Sequence, residues 1–534
     1  MSDYKASKEA FVSGMTGSTV FHVNMISGVA LSSIALHSAL RSRVQAFGSA
    51  YFLAEFVILA VPMLLSMTLF AEAPGALSLL LLVPMLVLLL LPPLERGTPL
   101  PAESRDELAS PNGRSRAETP LTHLSQTLRP LPALTTYRAH MMLMTVLSIL
   151  AVDFPVFPRV LAKCETYGVS LMDIGVGSFV FSQGVVSAIP IIKDISYLQA
   201  PILPKLKSVS RKMIPIIVLG ILRVVLVKGT EYPVGSCIVC MSRLPLNKYN
   251  QEHVTEYGVH WNFFFTFALL PIIEVLLHPI ILRIPVALLG LWIGVLHQFA
   301  LSSGGMKDVL LNASRSNIVF ANKEGLLSLL GYVSIHILGL SLGTIILPPS
   351  PSFFRKQQRQ LLDGPSSHRL SKLDPSAPRQ NAKIIIELMS YSVVWWMLLA
   401  FVRLGLEVSR RMANISYILW VAAYNTSFIL GYIFLDMVFF PTRTSKIRDP
   451  TDPSGKRLLI EEKGLKSSAP ALLEAINKNA FILFLLSNVA TGLINLNIQT
   501  MFVGHMKAMC LLCAYFMGMC IFAWLFRRIR LWKM

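Results

Sequence analysis

The sequence predicts an all-α, polytopic integral membrane protein. Hydrophobic residues make up 54% of the 534-residue chain, and charged residues make up only 14%. Apolar segments of roughly 17–25 residues, the length that crosses a bilayer, recur along the whole sequence. Helices are the form that such segments take in lipid, because each helix satisfies its own backbone hydrogen bonds. About thirteen transmembrane helices are therefore expected.

The apolar segments follow one another with short connections after residue 258 and again after residue 480. The first is full length and lacks the short apolar core and cleavage site of a signal peptide, so we expect no cleaved leader. In chain order, the segments lie at about 20–40, 51–71, 75–92, 138–154, 169–190, 212–228, 258–277, 280–302, 325–347, 384–402, 413–439, 480–502 and 508–526.

The net charge of +19 predicts an orientation rather than a nucleic-acid partner, because the charges lie in the connections between spans. With the N-terminus lumenal and the C-terminus cytosolic, 33 of the 48 Lys and Arg residues fall on the cytosolic side. This distribution follows the positive-inside rule, and the opposite orientation would violate it. We therefore expect no nucleic-acid binding.

The chain is expected to form one membrane-embedded domain over residues 1–534. Long connections rich in Pro, Ser and charge predict flexible cytosolic loops at 93–137, 348–381 and 441–475. The predicted lumenal segments are shorter and mix aromatic with charged residues, at 1–19, 155–168, 229–257 and 304–324. Chemistry is therefore expected on the lumenal face.

The fourth apolar segment ends in an acid, Asp153, which Pro155 and Pro158 follow closely. Proline lacks a backbone donor and disfavours helix in the preceding residue, so the helix is expected to stop near Asp153. A charge at the end of a span is costly unless it is paired. Such a residue is therefore a candidate for a functional site. Asp153 and Lys163 are the leading catalytic pair, because burial that shifts the pKa of either group would make it a usable general base or acid. The alternative is an ion pair that only closes the helix break.

Further polar residues cluster at the same predicted depth. His260 and Asn262 open the seventh span, where a helix cap or an aromatic-belt neighbour is the alternative role. Asn322 and Glu324 open the ninth span, where an acid is also favoured by the helix dipole. We expect substrate contacts from these four residues and from two that flank the lysine, Arg159 and Glu165.

Small residues cluster in the fifth segment and predict close packing between helices rather than direct ligand contacts. They are Gly175, Gly177, Ser178, Ser182, Gly184, Ser187 and Ala188.

The cysteines predict no metal site. Cys237 and Cys240 form one CxxC pair, and Cys510 and Cys513 form another within an apolar segment. The pairs lie far apart along the chain, and the spacing within the first is tight for a disulfide. Asn312 begins a formal glycosylation sequon, but its closeness to the membrane disfavours modification.

Three long motifs resemble one known family, the inositol acyltransferases of GPI-anchor biosynthesis, which include the fungal GPI-anchored wall transfer proteins and their animal counterparts. The motifs are KEAFVSGMTGST at 8–19, AVDFPVFPR at 151–159 and KCETYGVSLMDIGVGSFVFS at 163–182. Residues 256–265, 322–325 and TGLINL at 491–496 also fit. The resemblance covers the chain except for its long predicted cytosolic loops.

The resemblance implies an endoplasmic reticulum membrane enzyme that transfers a fatty acyl group, typically palmitoyl. The donor would be acyl-CoA as cosubstrate, with no bound cofactor. The acceptor would be the inositol 2-hydroxyl of glucosaminyl-phosphatidylinositol, a membrane lipid. The family's acid and lysine fall on Asp153 and Lys163. The sequence leaves protein partners open.

Two alternatives remain at this stage. Cys164 could form an acyl-enzyme, although the sequence places no histidine beside it. In the other alternative the chain is a lipid or solute transporter that uses Asp153 and Lys163 as a relay.

Overall fold

The computed structural model describes residues 11, 13–44, 51–92, 128–229, 257–363, 375, 377–440, 444–448, 457–461 and 469–532. The regular secondary structure in this part of the chain is helical, apart from one antiparallel hairpin of two short strands. The strands are β1 Thr444–Arg448 and β2 Arg457–Glu461.

The helices pack into one helical body around a shared apolar core. In chain order they are α1 Val20–Arg43, α2 Tyr51–Ser66, α3 Pro74–Leu89, α4 Pro132–Ala151, α5 Leu171–Lys193, α6 Ile202–Gly229, α7 Phe263–Ile281, α8 Val286–Ser302, α9 Met306–Asn312, α10 Ile318–Ala321, α11 Lys323–Ile346, α12 Phe353–Asp363, α13 Asn381–Val402, α14 Ile415–Phe439, α15 Ala471–Lys478, α16 Ala480–Asn497 and α17 His505–Leu525.

Helices lie over all thirteen predicted segments, and the protein is a multi-span membrane protein. Eight described helices are long and apolar enough to cross a bilayer: α1, α5, α7, α11, α13, α14, α16 and α17. Helices α8 and α9, bent by 64° at their junction, form a ninth candidate if they are one span. Helices α2 and α3 are apolar but shorter. The number thirteen and the orientation of the termini therefore stay predictions.

Two helices form the tightest contact of the core, α5 and α11. A Cβ atom on Gly184 would clash with the carbonyl oxygen of His336, and one on Gly339 would clash with that of Phe181. Only glycine allows backbones to approach this closely, so the small-residue prediction for the fifth segment is confirmed at Gly184. Helix α7 is tied to α11 by a buried contact between Glu274 Oε2 and His336 Nε2 at 2.7 Å.

The predicted loop segments contain some regular structure. Helix α4 begins at Pro132, where the ring occupies a position that needs no backbone donor. Helix α12 lies within the predicted loop 348–381, and β1, β2 and the start of α15 lie within 441–475. Residues 93–127 lie outside the described part of the chain, as do Cys237 and Cys240.

The two ends of the helical body differ in chemistry. The end that holds residues 152–170, called here the Asp153 end, gathers the N-caps of four helices: Thr19, Ser170, Asn262 and Asn414. Each of these side chains accepts a backbone N–H of the first turn and satisfies an otherwise unpaired donor. The opposite end, called here the basic end, holds residues 194–212 and 526–532.

Candidate active site

The helix break at Asp153 forms as the prolines predict. Helix α4 ends at Ala151, and Asp153 lies in the turn that follows, with its N–H bonded to the carbonyl of Leu150 at 3.1 Å. The rings of Phe154 and Phe157 are fully buried on either side of Pro155. Two large apolar anchors therefore fix an irregular backbone in place.

Arg159 stabilises this turn through hydrogen bonds to its backbone. Its guanidinium donates to the carbonyls of Phe154 and Phe157 and stacks over the ring of Phe11, 4.1 Å from the ring centroid. Burial lowers the pKa of Arg159, and the charge of nearby Asp153 opposes that change. Arg159 thus lies beside Asp153, but its described hydrogen bonds are to the protein's own backbone.

Asp153 is half-buried and accepts a hydrogen bond from Asn495 Nδ2 at 2.8 Å. Asn495 lies near the end of α16, and its Oδ1 accepts from Thr500 Oγ1 at 3.1 Å. These two hydrogen bonds hold one carboxylate oxygen of Asp153 against a donor from α16, a helix far away in the sequence. Asn495 belongs to the TGLINL motif, but its sequence alone does not show that it contacts Asp153.

Lys163 is half-buried and lines a large cavity, while the residue after it is held rigidly. The backbone N–H of Cys164 donates to Asp173 Oδ2 at 3.1 Å, and Ser170 Oγ donates to the same oxygen at 2.8 Å. Asp173 is fully buried in the first turn of α5. This carboxylate therefore positions the backbone from which the Lys163 side chain extends.

The charge of Asp173 is balanced by Arg410, from the connection between α13 and α14. Arg410 Nε lies 2.6 Å from Asp173 Oδ1, and both side chains are almost wholly buried. The same guanidinium lies against Tyr257, which lines the cavity. Neither Asp173 nor Arg410 was predicted from the sequence to belong to the site. The only sequence signal was an acid three residues after Ser170, as in a helix cap.

The N-terminal segment folds over the loop that carries Lys163. Glu165, which is exposed, accepts the N–H of Gly14 at 2.6 Å, and Ser18 pairs with Val169. Gly17 and Gly168 both have positive φ, and a Cβ at either position would strike Cys164 Sγ. Glu165 therefore fastens a strap formed by residues 13–18.

The other predicted site residues lie nearby and make well-defined structural contacts. Asn322 Oδ1 accepts the N–H groups of His260 and Trp261 at 2.8 Å each. Asn262 caps α7 and donates to the carbonyl of Gly220, and it also lines the cavity. Glu324 is almost fully buried, paired with Arg315 and Arg411. The structure thus shows polar contacts that brace this end of the helical body.

The cavity, of about 830 Å³, extends between the two ends of the helical body. Its size is within the range of ligand-binding cavities in proteins. At the Asp153 end it is lined by Lys163, Tyr257 and Trp261. Its middle is lined mainly by apolar side chains of α4, α5, α7 and α16, such as Met144, Phe179, Phe267 and Phe484. At the basic end it is lined by Lys478, Arg530 and Trp532.

Asp153 is outside this lining but lies one helical turn beyond Ile149, which is part of it. Arg223 of α6, which no motif had singled out, lines the cavity and is exposed. In the described part of the chain, no group of three or more His, Cys, Asp and Glu side chains could hold a metal ion. Asn312 is exposed at the end of α9, and Cys164, Cys510, Cys513 and Cys520 are free thiols.

Comparison with known proteins places these features in a family. The GWT1 family model matches residues 4–526. GPI-anchored wall transfer protein 1 of Aspergillus oryzae is 37% identical over 532 residues, with 96% of each chain covered. The protein of the same name from Cryptococcus neoformans var. neoformans is 34% identical with 99% of each chain covered, and that of Aspergillus fumigatus is 35% identical. The chain belongs to the GWT1 family.

Proposed function

We propose that this protein is an acyltransferase of GPI-anchor biosynthesis in the endoplasmic reticulum membrane. It transfers a fatty acyl group, typically palmitoyl, from acyl-CoA to the inositol 2-hydroxyl of glucosaminyl-phosphatidylinositol. Family membership supports a role in GPI-anchor biosynthesis, because the relatives are named for GPI-anchored wall proteins. The predicted orientation supports a lumenal site at the Asp153 end.

The observation that carries the proposal is the apolar cavity with Lys163 at one end and cationic residues at the other. An acyl chain needs an apolar enclosure, and the thioester needs a route from the cytosol to the predicted lumenal end. The cavity offers both in one space. Apolar lining of this kind stabilises a buried chain by about 0.8 kcal/mol per CH₂ group.

The chemistry proposed here uses Asp153 as general base and Lys163 as the electrophilic partner. Asp153 takes the proton of the inositol hydroxyl as its oxygen attacks the thioester carbonyl. The tetrahedral oxyanion is stabilised by the Lys163 ammonium, a contact worth about 10²–10³ in rate. The carbon–sulfur bond then breaks, and the coenzyme A thiolate leaves with the proton that Asp153 had taken, which regenerates the carboxylate.

The head group of the acceptor would lie against the polar residues of the Asp153 end. Asn262 and Arg223 line the cavity and are the residues best placed to contact it, with Arg223 facing the lipid phosphate. His260, Asn322, Glu324, Arg159 and Glu165 would shape the pocket through the contacts described above.

The proposal is tested with the purified protein, labelled palmitoyl-CoA and glucosaminyl-phosphatidylinositol, followed by chromatography of the lipid products. An inositol-acylated lipid is the expected product. A transporter that uses Asp153 and Lys163 as a relay would move lipid between leaflets without changing it covalently. Transport with no acylated product would therefore favour that alternative.

Cys164 gives a test of direct transfer. Burial, with a smaller contribution from Asp173, raises the pKa of the Cys164 thiol to about 12, so almost no thiolate exists near neutral pH. We expect Cys164→Ser to retain acyl transfer within about threefold of the wild type, because the hydroxyl preserves the size of the side chain beside Gly17 and Gly168. Loss of activity in a folded Cys164→Ser protein, with a trapped acyl group on wild-type Cys164, would contradict direct transfer.

A further inference from the structure

A second cavity, of about 560 Å³, lies at the basic end. One face of α6 lines one side of this cavity, and Trp532 lines the other side. The α6 residues recur at intervals of three and four, which places them on one helical face. They are Pro204, Lys207, Ser208, Arg211, Lys212 and Pro215.

Among the described residues, the cations on this face have no acidic partner. Lys207 and Arg211 are four residues apart, and like charges at that spacing repel each other on a helix. In the described residues, no carboxylate pairs with Lys207, Arg211 or Lys212. The positive-inside rule explains positive charge in a connection, but it does not require the charges to line a cavity.

The Trp532 ring packs against the ring of Phe481, with centroids 5.8 Å apart, and the backbone that precedes it is held by hydrogen bonds. Asn479 Oδ1 accepts the N–H of Leu531 at 2.9 Å, and Asn479 Nδ2 donates to the carbonyl of Ile529 at 3.0 Å. Lys478 Nζ donates to the carbonyls of Arg527 and Arg528, each at 3.0 Å. The end of the chain is thus fastened to the junction of α15 and α16.

Trp532 also lines the large cavity, so the two cavities share this side chain as a common wall. On the side of the large cavity, two further cations, Arg530 and Arg138, belong to the lining. The basic end therefore combines two groups of cations with an aromatic ring between them. Cations that face each other across a cavity are stabilised when an anion enters it.

We propose that the second cavity binds the nucleotide end of acyl-CoA, with its phosphates on Lys207, Arg211 and Lys212 and its adenine ring against Trp532. Base–aromatic stacking and charge-assisted bonds to phosphate are the contacts that such a nucleotide makes in proteins. The pantetheine arm then passes Trp532 and enters the large cavity, which directs the thioester toward Lys163. This site rests on the proposed function, since it names where the acyl donor docks.

The test is direct binding of coenzyme A, without an acyl chain, to the full-length protein in nanodiscs. Removing a hydrogen bond to a charged group costs enough to weaken binding about tenfold. We expect Arg211→Gln and Lys212→Gln each to weaken coenzyme A binding about tenfold, and Trp532→Ala to weaken it several-fold. The matched control is Lys193→Gln, since Lys193 is an exposed cation at the same end that lines neither cavity, and it is expected to leave binding unchanged.

Two further comparisons separate the nucleotide from other anions. Dephospho-coenzyme A, which lacks the 3′-phosphate, should bind more weakly to the wild type and lose less on the Arg and Lys substitutions. If the cations instead hold an anionic lipid, the protein will retain phosphatidylserine from the nanodisc more than phosphatidylcholine, and the variants will lower that retention while leaving coenzyme A binding unchanged. That result, or equal coenzyme A binding by all variants, would overturn the proposal. The outcome is independent of acyl transfer, which the lipid assay measures separately.

Discussion

Replacement of Asp153 by asparagine is expected to lower acyl transfer by about 10²–10⁴-fold, because a positioned general base contributes that much to a proton-transfer step. The substitution preserves the size of the side chain. The asparagine Oδ1 can still accept the hydrogen bond from Asn495 Nδ2, so the turn should be kept. The measurement is the initial rate of labelled palmitoyl transfer by purified protein, beside its thermal unfolding temperature.

The partner of Asp153 supplies the control. Asn495→Ala removes the donor but leaves the carboxylate, so we expect a smaller loss, about tenfold, from poorer positioning of the base. A protein with Asp153→Asn that unfolds at the wild-type temperature and transfers acyl groups at the wild-type rate would contradict the role of base. Equal losses in both variants would indicate that Asp153 acts only through the geometry of the turn.

The helical architecture could be predicted from sequence because long apolar runs encode it directly. The end of α4 beside Asp153 was also predicted, because proline disrupts a helix through its own local geometry. The number of true spans was harder to predict, because α2 and α3 are apolar but short and α4 and α6 carry polar side chains within long helices. For such a segment, length and polarity lead to different predictions of whether it crosses the membrane.

The contacts that hold the site could not be read from the sequence, since they join distant parts of the chain. Asn495 lies 342 residues from Asp153, and Arg410 lies 237 residues from Asp173. A sequence pattern shows an acid in a first helical turn but not the arginine that approaches it from another loop. The sequence pattern and the family resemblance both marked Asp153 and Lys163 for chemistry, whereas the structure adds the residues that position them.

Glu324 and Asn322 illustrate a different limit. Both are polar residues at the predicted depth, and that position alone suggested substrate contacts. The structure pairs Glu324 with Arg315 and Arg411 and uses Asn322 to hold the backbone of His260. Depth in the membrane selects polar residues near a site, but it does not predict these structural contacts, and the contact of both residues with substrate stays a prediction.

Breaking the buried pair of Arg410 and Asp173 is expected to cause a large loss of stability. Arg410→Met is expected to lower the free energy of unfolding by about 3–5 kcal/mol, because it leaves the fully buried carboxylate of Asp173 without its cation. The same carboxylate holds the N–H of Cys164, so the position of Lys163 is expected to loosen and acyl transfer to fall as well. Unfolding of detergent-solubilised protein measures the first effect, and the lipid assay measures the second.

The adjacent residue supplies a matched control for this prediction. Arg411 pairs with Glu324, but its side chain is 28% exposed and Glu324 keeps a second partner in Arg315, so Arg411→Met is expected to cost about 1 kcal/mol or less. Asp173→Asn combined with Arg410→Met removes both charges and should recover part of the stability lost in Arg410→Met alone. If Arg410→Met and Arg411→Met unfolded at the same temperature, the buried pair would not be what secures the loop that carries Lys163.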